Sequence, residues 1–261
     1  MKIADMHVHS TFSPDGISTM EEQCQQAIIK EIPIICFTDH VDFNSAERNM
    51  DRITDNRGRN FDLCDYFGEI ERLQNKYPSI EILSGIEFSE PHLFPDEFDE
   101  YQRYPFDYIL ASIHHCYNMV FPGAANLDEE QAVYEYYDLM SKSISWCSCQ
   151  AIAHIDFPRR YFDRWRVQQR TLDHILKLII QKGIALEINT SSITAQSASP
   201  MPEIPVLRRY LELGGSKVVL GSDAHDCKKL ANGFSTVIPI IPEQLEIGYF
   251  KQRVFVPIKP N

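Results

Sequence analysis

The sequence predicts one α/β domain in which parallel strands form a closed barrel. Short apolar runs alternate with longer segments of helical spacing, which is the pattern of parallel strands joined by right-handed helical crossovers. Seven such strands in 261 residues favour a barrel over an open sheet. The sequence also lacks the glycine-rich phosphate loops that mark doubly wound nucleotide-binding sheets.

The strands are predicted from short apolar runs with the length of buried β-structure. Parallel strands that are buried on both faces have nearly continuous apolar sequences, and each of these runs fits that description. In chain order they lie at about 3–8, 33–38, 80–87, 107–113, 151–155, 184–189 and 217–222. We expect their carboxyl ends to meet at one rim of the barrel.

The helices are predicted from apolar spacing and from start and stop signals. The first opens with Thr19-Met20-Glu21-Glu22, a capping-box pattern, and carries Cys24, Ala27 and Ile28 on one face. The others are predicted over 61–77, 128–145, 168–182 and 203–213. The last of these ends at Gly214-Gly215, a suitable helix stop. The long polar stretch 41–60 is predicted to cover the site, and 240–261 to close the single domain 1–261 as a tail.

Composition restricts the function classes. The formal net charge is −12, with 44% hydrophobic and 24% charged residues. This acidic total argues against binding to nucleic acid or to an acidic membrane, because both need a basic face. No apolar run reaches the roughly 18 residues of a membrane span, and the N-terminus has no apolar leader. We therefore expect a cytoplasmic protein with neither nucleic-acid nor membrane partners.

The seven cysteines support the same location. Their number is odd and they form no CxxC pair, which is typical of free thiols in a reducing compartment. Cys147-Ser148-Cys149 is the nearest approach to a metal-binding pair. Its simplest interpretation is a pair of structural thiols.

The placement of histidine is the strongest functional signal in the sequence. Six of the nine histidines, with a glutamate and an aspartate, fall at the carboxyl ends of predicted strands: His7, His9, His40, Glu87, His114, His154, Asp223 and His225. Barrel enzymes build their active sites at this rim. A single histidine at a strand end is more often a packing residue than a ligand, but six at one rim predict a metal centre.

The His7-Val8-His9 spacing adds a geometric reason. Residues i and i+2 of a strand point to the same face, so both imidazoles can reach one ion. Imidazole and carboxylate ligands suit zinc, iron or manganese. The candidates exceed the four ligands of a structural zinc site, so we expect two or three ions. His92 and His174 do not share this pattern.

The ordered set resembles the polymerase and histidinol phosphatase (PHP) superfamily over positions 5 to 225. The motifs that carry the resemblance are His7-x-His9, Thr38-Asp39-His40, Glu87, Ser112-x-His114, His154 and Ser222-Asp223-Ala224-His225. Within the superfamily, the segments Ala153-His154-Ile155-Asp156, Arg160-Tyr161 and Leu186-Glu187-Ile188-Asn189-Thr190-Ser191 look like those of bacterial histidinol-phosphate phosphatases.

This resemblance implies a distorted seven-stranded (β/α) barrel, similar to a TIM barrel, with a three-metal site. It implies that one ion is held by His7, His9, Glu87 and Asp223, and that Glu87 joins His114 and His154 around a second. The third would be held by Asp15, His40 and His225. Many superfamily members carry histidine where this chain has Asp15, and the alternative for Asp15 is a turn residue in Ser13-Pro14-Asp15-Gly16.

The implied reaction is hydrolysis of a small phosphate monoester, L-histidinol phosphate, to L-histidinol and phosphate. Metal coordination can lower the pKa of water from about 15.7 to about 7, so a hydroxide that bridges the Glu87-linked ions is the expected nucleophile. Arg160 would bind phosphoryl oxygens through its planar donor fork, unless the basic stretch 159–166 is only a solvated surface. Asp223 and His225 are the candidate proton donors to the leaving oxygen.

Further residues are predicted around this centre. Asp5 and Asp39 are expected to orient neighbouring imidazoles as hydrogen-bond acceptors. His115 and Tyr117 are candidate substrate contacts, and carboxylates of the acidic segment 87–97 are candidates for binding the substrate amine.

Three alternative functions remain open from the sequence. A metal-dependent amidohydrolase is also a barrel with a HxH motif on its first strand, although the Thr38-Asp39-His40 and Asp223-Ala224-His225 motifs favour the PHP interpretation. A phosphotyrosine or nucleotide phosphatase, or a nuclease, would keep the same metal site. A metal-storage or scaffold protein would bind ions without turnover.

Overall fold

A computed structural model describes residues 3–43, 60–116, 119–120, 128–162, 166–194, 197 and 199–259. Its strands are β1 (Ala4–Val8), β2 (Ile34–Phe37), β3 (His40–Val41), β4 (Glu81–Ser89), β5 (Tyr108–Ser112), β6 (His115–Cys116), β7 (Met119–Val120), β8 (Ala151–Ile152), β9 (Ala185–Asn189), β10 (Lys217–Gly221), β11 (Glu246–Lys251) and β12 (Val254–Pro257). Its helices are α1 (Met20–Ile29), α2 (Leu63–Lys76), α3 (Pro95–Gln102), α4 (Glu129–Trp146), α5 (Gln169–Lys182), α6 (Ile204–Glu212) and α7 (Phe234–Val237).

The main sheet contains seven parallel strands in the order β1, β2, β4, β5, β8, β9, β10. At least one helix lies between each pair of consecutive strands, and β3 continues the second strand by pairing with β4. The first and seventh strands meet just beyond β10, where Asp223 N–H donates to His7 O at 2.7 Å and His9 N–H donates to Ala224 O at 3.0 Å. The predicted seven-stranded α/β barrel is confirmed, with a seam joined at the rim.

Two apolar layers follow from the alternation of side chains along the strands. Inside the barrel, residues from every strand form one cluster: Ala4, Met6, Ile34, Cys36, Leu83, Tyr108, Leu110, Ala151, Ala153, Ala185, Val219 and Phe250. The intervening strand residues pack outward against the helices in a second, larger cluster. Because the inner cluster fills the lower barrel, polar side chains are confined to the carboxyl rim.

A register shift in β1 explains why His7 faces inward directly after the inward-facing Met6. His9, two residues beyond His7, then faces inward as well. The pairing of β1 with β2 is irregular between Asp5 and Val8. Met6 belongs to the inner cluster and Val8 to the outer one. Irregularities of this kind re-aim side chains next to active sites, and here they accommodate His7 beside Met6 on the inner side.

Most predicted helix boundaries are confirmed. Thr19 caps α1 through a capping box, with Thr19 N–H donating to Glu22 Oε2 at 2.8 Å and Glu22 N–H donating to Thr19 Oγ1 at 3.2 Å. The predicted buried face of α1 is wrong at Ile28, which is 40% exposed, because the buried stripe runs through Met20, Gln23, Cys24 and Ala27. Helix α6 ends before Gly214, whose φ of +97° suits glycine.

The sequence did not predict α3 or the two strands of the C-terminal segment. Helix α3 begins at Pro95, inside a short acidic stretch that lacks a strong periodic pattern. In the segment predicted as a closing tail, β11 pairs in parallel with β10 and β12 returns antiparallel to β11. Phe250 of β11 packs on the ring of Tyr108 inside the barrel. This hairpin covers the end of the barrel opposite the histidines.

Two further expectations concern other parts of the chain. Most of the predicted covering loop 41–60 lies outside the described residues, which include only 41–43 and 60 of it. No helix within the described ranges has the length and apolar character needed to cross a membrane.

His92 is not among the clustered histidines and has the environment of a structural residue. It sits in the short 3-10 turn Pro91–Leu93, and its Nδ1 lies 2.7 Å from the Oγ of buried Ser143 on α4. Its Nε2 is buried without a hydrogen-bond partner in the described part of the chain. Burial and nearby Lys142 lower the pKa of His92 to about 4, although Glu90 opposes this shift. The folded protein therefore holds this imidazole neutral.

We expect His92 to cost stability in mild acid. Since its folded-state pKa lies below the ordinary value, the unfolded chain binds the proton first, and stability falls as the pH drops from about 6.5 to about 4, by at most about 1.4 kcal/mol per pH unit. The stability advantage of the metal-free wild-type chain over His92→Asn should shrink across this window. Urea unfolding of both proteins at several pH values measures this difference. A pH-independent difference would contradict the assignment.

Candidate metal centre

Nine side chains predicted from the sequence meet at the carboxyl rim of the barrel. The structure brings together His7, His9, Asp15, His40, Glu87, His114, His154, Asp223 and His225. They come from the ends of six of the seven parallel strands and from the turn after β1. Residues far apart in sequence converge because the parallel strands all end at this rim.

The first group surrounds one oxygen each of Glu87 and Asp223. The Nε2 atoms of His7 and His9 are 2.9 Å apart. They lie 3.3 and 3.6 Å from Glu87 Oε2 and 3.8 and 3.5 Å from Asp223 Oδ1. Two imidazole nitrogens and two carboxylate oxygens thus face one point.

The second group lies on the other oxygen of Glu87. The Nε2 atoms of His114 and His154 are 3.1 and 3.0 Å from Glu87 Oε1. The Nδ1 of His40 approaches Glu87 Oε2 at 2.9 Å. Glu87 is 1% exposed. Because each of its oxygens faces a different group of imidazoles, it forms the centre that both groups share.

The third group contains Asp15, His40 and His225. The carboxylate of Asp15 lies 3.5 Å from His40 Nε2 and 3.3 Å from His225 Nε2, and these two nitrogens are 3.4 Å apart. The turn that presents Asp15 needs Gly16, because a Cβ there would lie 1.7 Å from the carbonyl oxygen of Ser10. Asp15 therefore lies in a tight turn and also contacts two imidazoles.

The donor set fits a cation. His7 Nδ1 faces Glu187 at 2.5 Å, and His9 Nδ1 faces Ser13 Oγ at 3.0 Å. When both rings are neutral and donate through Nδ1, their Nε2 lone pairs point at each other, so a positive charge must lie between them: a proton on one ring or a metal ion. Glu87 Oε2 is buried and accepts no hydrogen bond of good geometry from any residue that the structure describes. Imidazole and carboxylate are the ligands of divalent zinc, iron and manganese.

The electrostatics of the group support the same conclusion. Burial alone would raise the pKa of Glu87, but the imidazoles of His114, His7 and His40 hold it well below its ordinary value. Burial and the neighbouring His225 and His40 keep the pKa of His9 well below its ordinary value. Burial opposes protonation of His7 and of His40, but the surrounding carboxylates hold the pKa of both rings well above the ordinary value. An ionised carboxylate and an uncharged imidazole are the forms that bind a metal, so these two rings would release protons when an ion binds.

Asp223 is held from two sides. Its Oδ1 faces the imidazoles, whereas Oδ2 accepts from Ser191 Oγ at 3.1 Å, Arg160 at 3.3 Å and Asn189 at 3.4 Å. Burial opposes ionisation, yet His7, His9 and His225 with Arg160 hold the pKa of Asp223 well below its ordinary value. An ionised carboxylate has no proton to give, which disfavours the predicted role of Asp223 as proton donor.

The predicted roles of Asp5 and Asp39 are corrected by the structure. Asp39 accepts from the hydroxyl of Ser13 at 2.7 Å, and Ser13 in turn contacts His9 Nδ1, so Asp39 acts through a serine. Asp5 accepts from Ser222 N–H at 2.9 Å and from Ala231 N–H at 2.8 Å. Asp5 therefore fixes backbone at the barrel seam and contacts no imidazole in the described structure.

One carboxylate in contact with His7 had no role predicted from the sequence. Glu187 of β9 is fully buried, with Oε1 2.5 Å from His7 Nδ1 and Oε2 accepting His154 N–H at 2.8 Å. Asn189, two residues later on the same face, contacts both Glu187 and Asp223. A glutamate inside the apolar run of β9 was the available signal, because a buried charge requires a partner.

Arg160 lies at the open edge of the centre. It donates to Asp223 and to Ser191, and its guanidinium lies 5.1 Å from the ring centroid of Phe157. Phe157 also packs on the imidazoles of His154 and His114. Arg160 is 29% exposed, so part of the guanidinium faces solvent beside the histidines. These contacts favour a role for Arg160 at the centre over that of a solvated surface residue.

The residues predicted to contact the substrate do not lie together at the open edge in the part of the chain that the structure describes. His115 is buried and its Nδ1 lies 2.9 Å from Glu90 Oε2, so its ring is not at the open edge. Glu90 also accepts the backbone N–H groups of His114 and His115. Tyr117 lies outside the described residues. Asp96 and Glu97 of the acidic segment occupy the first turn of α3.

Comparison with known proteins agrees with this architecture. The histidinol-phosphatase of Lactococcus lactis subsp. lactis is 28% identical over 245 residues, which cover 88% of this chain and 86% of the relative. A Thermotoga maritima protein named "Probable histidinol-phosphatase" is 28% identical over 239 residues, 90% of this chain and 89% of the relative.

A solved structure has the same fold. The crystal structure of histidinol phosphate phosphatase from Lactococcus lactis subsp. lactis, complexed with zinc, L-histidinol and phosphate, matches with a TM-score of 0.81. The match has 24% sequence identity and covers 98% of this chain and 99% of that one. A family model described as the PHP domain matches residues 5–191, well over half of the chain. The resemblance found in the sequence is thereby confirmed, and the chain belongs to the PHP domain family.

Proposed function

We propose that this chain is a metal-dependent phosphatase that hydrolyses L-histidinol phosphate to L-histidinol and phosphate. The observation that carries the proposal is the convergence of nine imidazole and carboxylate side chains at the barrel rim, with Glu87 at their centre. The substrate is taken from the named activity of relatives that align along most of this chain. It is also taken from the L-histidinol and phosphate bound by the Lactococcus enzyme.

We propose the three groups around Glu87 as sites for two or three divalent ions, and zinc, which the Lactococcus enzyme binds, is the first choice. Such ions neutralise phosphoryl oxygens and make water more acidic, which are the two requirements of phosphate ester hydrolysis at neutral pH. Glu87 would serve two sites because its oxygens face different sets of imidazoles.

Arg160 is proposed to bind the phosphoryl group. Its guanidinium is anchored on Asp223 and Ser191 and lies over the ring of Phe157. A planar donor fork held in this way is preorganised for phosphate oxygens. The neighbouring Arg159 instead donates to the carbonyl of Pro200 at 2.8 Å and pairs with Glu203 on the flank of the barrel.

His225 has two predicted roles that exclude each other. Its Nδ1 lies 3.0 Å from the carbonyl oxygen of Asp223 and must donate there, so the neutral ring has its lone pair on Nε2, which faces Asp15 and His40. The same nitrogen cannot both hold an ion and give a proton. We propose the ligand role for His225, as for Asp223.

We also propose a cytoplasmic location. All seven cysteines have free thiols, and five of them are buried. Free thiols in this number suit a reducing compartment.

The first expected outcome concerns substrate choice. With zinc or manganese present, kcat/KM for L-histidinol phosphate should exceed the values for nucleotide and tyrosyl phosphates by at least about 100-fold, since a fitted site separates substrates by several kcal/mol. Phosphate release measures all three, and prior chelation should abolish turnover. A preference for a nucleotide or for phosphotyrosine would contradict the substrate while leaving the metal centre intact.

The second outcome concerns Arg160. Arg160→Ala should lower kcat/KM for histidinol phosphate by roughly 10–100-fold, mainly through KM, because it removes charge-assisted hydrogen bonds to the phosphoryl group. Arg159→Ala is the matched control and should leave both constants within about two-fold. Steady-state kinetics and metal content are measured for both variants. Equal effects of the two substitutions would remove Arg160 from the site.

The third outcome concerns Asp15 and the number of ions. Asp15→Ala should lose one ion per chain and weaken that site by at least about 10-fold. Asp15→His should retain the ion, because imidazole is also a suitable ligand. Elemental analysis after dialysis against a graded chelator gives the count. An unchanged number of ions per chain in Asp15→Ala would show that Asp15 is a turn residue and not a ligand.

A further inference from the structure

Strand β9 differs from the other six parallel strands because none of the predicted metal ligands belongs to it. Its inward positions are Ala185, Glu187 and Asn189, which alternate with the outward-facing Leu186 and Ile188. Glu187 and Asn189 are both fully buried under the histidines. A buried carboxylate at this level is costly unless it is paired and hydrogen-bonded.

Glu187 contacts two neighbours of the centre at once, one with each oxygen. Oε1 lies 2.5 Å from His7 Nδ1, and Oε2 accepts the backbone N–H of His154 at 2.8 Å. These residues belong to β1 and to the end of β8, on different sides of the barrel. One carboxylate therefore sets the ring of His7 and the backbone position of His154.

The contact also fixes which nitrogen of His7 is available to an ion. The ionised carboxylate of Glu187 can only accept hydrogen bonds. It accepts one from the backbone N–H of His154, and its contact with His7 therefore requires a proton on Nδ1. In the neutral form of the ring, which is the form that binds a metal, Nε2 is then the lone-pair atom and faces Glu87 and His9. A metal-bound imidazole needs this arrangement.

A glycine in β10 makes room for the pair. A Cβ at Gly221 would lie 2.3 Å from Glu187 Oε1 and 2.6 Å from His7 Cβ. Any larger residue would displace one of the two groups. The space at Gly221 and the charge at Glu187 are thus two independent features that serve one contact.

We propose that Glu187 is a positioning residue of the metal centre, which holds His7 and His154 in the geometry that binds an ion. The proposal rests on the metal-dependent function proposed above. Glu187 contacts neither substrate nor reacting atoms, so its effect should appear in metal affinity before it appears in the chemistry.

The test is the zinc affinity of Glu187→Gln, measured on metal-free protein by competition with a chromophoric chelator. An amide has a single acceptor oxygen and cannot satisfy both N–H groups. We expect the zinc dissociation constant to rise by roughly 10–100-fold, the usual effect of losing an outer partner of a ligand. Gly221→Ala, which keeps the charge but displaces the contact, should shift it in the same direction.

The matched control is Asp107→Asn at the opposite end of the barrel. Asp107 precedes β5 and accepts the backbone N–H groups of Ser84 and Gln252 at 3.0 and 2.8 Å. It therefore has the same kind of bond as Glu187 without contact with the centre. Its loss should lower the melting temperature and leave the zinc dissociation constant within about two-fold of the wild-type value.

Equal zinc affinity in Glu187→Gln and Asp107→Asn would overturn the proposal. Should Glu187→Gln fail to fold, long-range proton–nitrogen spectra of zinc-loaded wild-type protein decide the matter: protonated Nδ1 of His7 is expected, and protonated Nε2 would overturn it. Zinc binding is measured without substrate. If wild-type protein binds zinc but does not hydrolyse histidinol phosphate, only the proposed substrate is contradicted. If wild-type protein binds no zinc, both proposals are overturned.

Discussion

The ionised carboxylate of Glu87, buried at the centre of the barrel rim, is the interaction on which the rest of the site depends. A buried charge is stable only when it is paired, and here five imidazoles approach its two oxygens within 3.6 Å: those of His7, His9, His40, His114 and His154. They come from four strand ends, because His7 and His9 both belong to the end of β1. The need to compensate one charge thus couples the ends of β1, β3, β5 and β8 to β4.

The seam of the barrel and the metal centre are built from the same residues. Asp223 N–H bonds to His7 O across the seam, while its carboxylate faces the imidazoles of His7 and His9. Asp223 has a φ of +55°, an uncommon conformation for a residue with a side chain. Asp5 secures the neighbouring Ser222 and Ala231. Closure of the barrel therefore supplies the geometry by which the first and last strands share a site.

The strand ends and the histidines could be predicted because they carry repeated, local signals. Apolar runs give the strands, and polar residues at their ends give the rim. Glu187 was missed because a single polar residue within a buried strand does not reveal its partner, which lies 180 residues away at His7. The roles of Asp5 and Asp39 failed for a similar reason: their partners lie in other segments of the chain, Ser222 and Ala231 for Asp5 and Ser13 for Asp39. The hairpin of β11 and β12 depends on packing in the barrel floor.

The ligand set also bears on the kind of substrate that the centre suits. Six of the nine proposed ligands are neutral imidazoles, and three are carboxylates: Asp15, Glu87 and Asp223. Three divalent ions would bring six positive charges against the three negative charges of these ligands and the one of Glu187, which contacts His7. Arg160 at the edge adds one more positive charge. The rim would then be strongly positive in a chain whose formal net charge is −12. A phosphate monoester dianion is attracted to such a rim, whereas a neutral amide gains little from it. Imidazole ligands in place of carboxylates would thus let the rim of an acidic protein attract an anionic substrate.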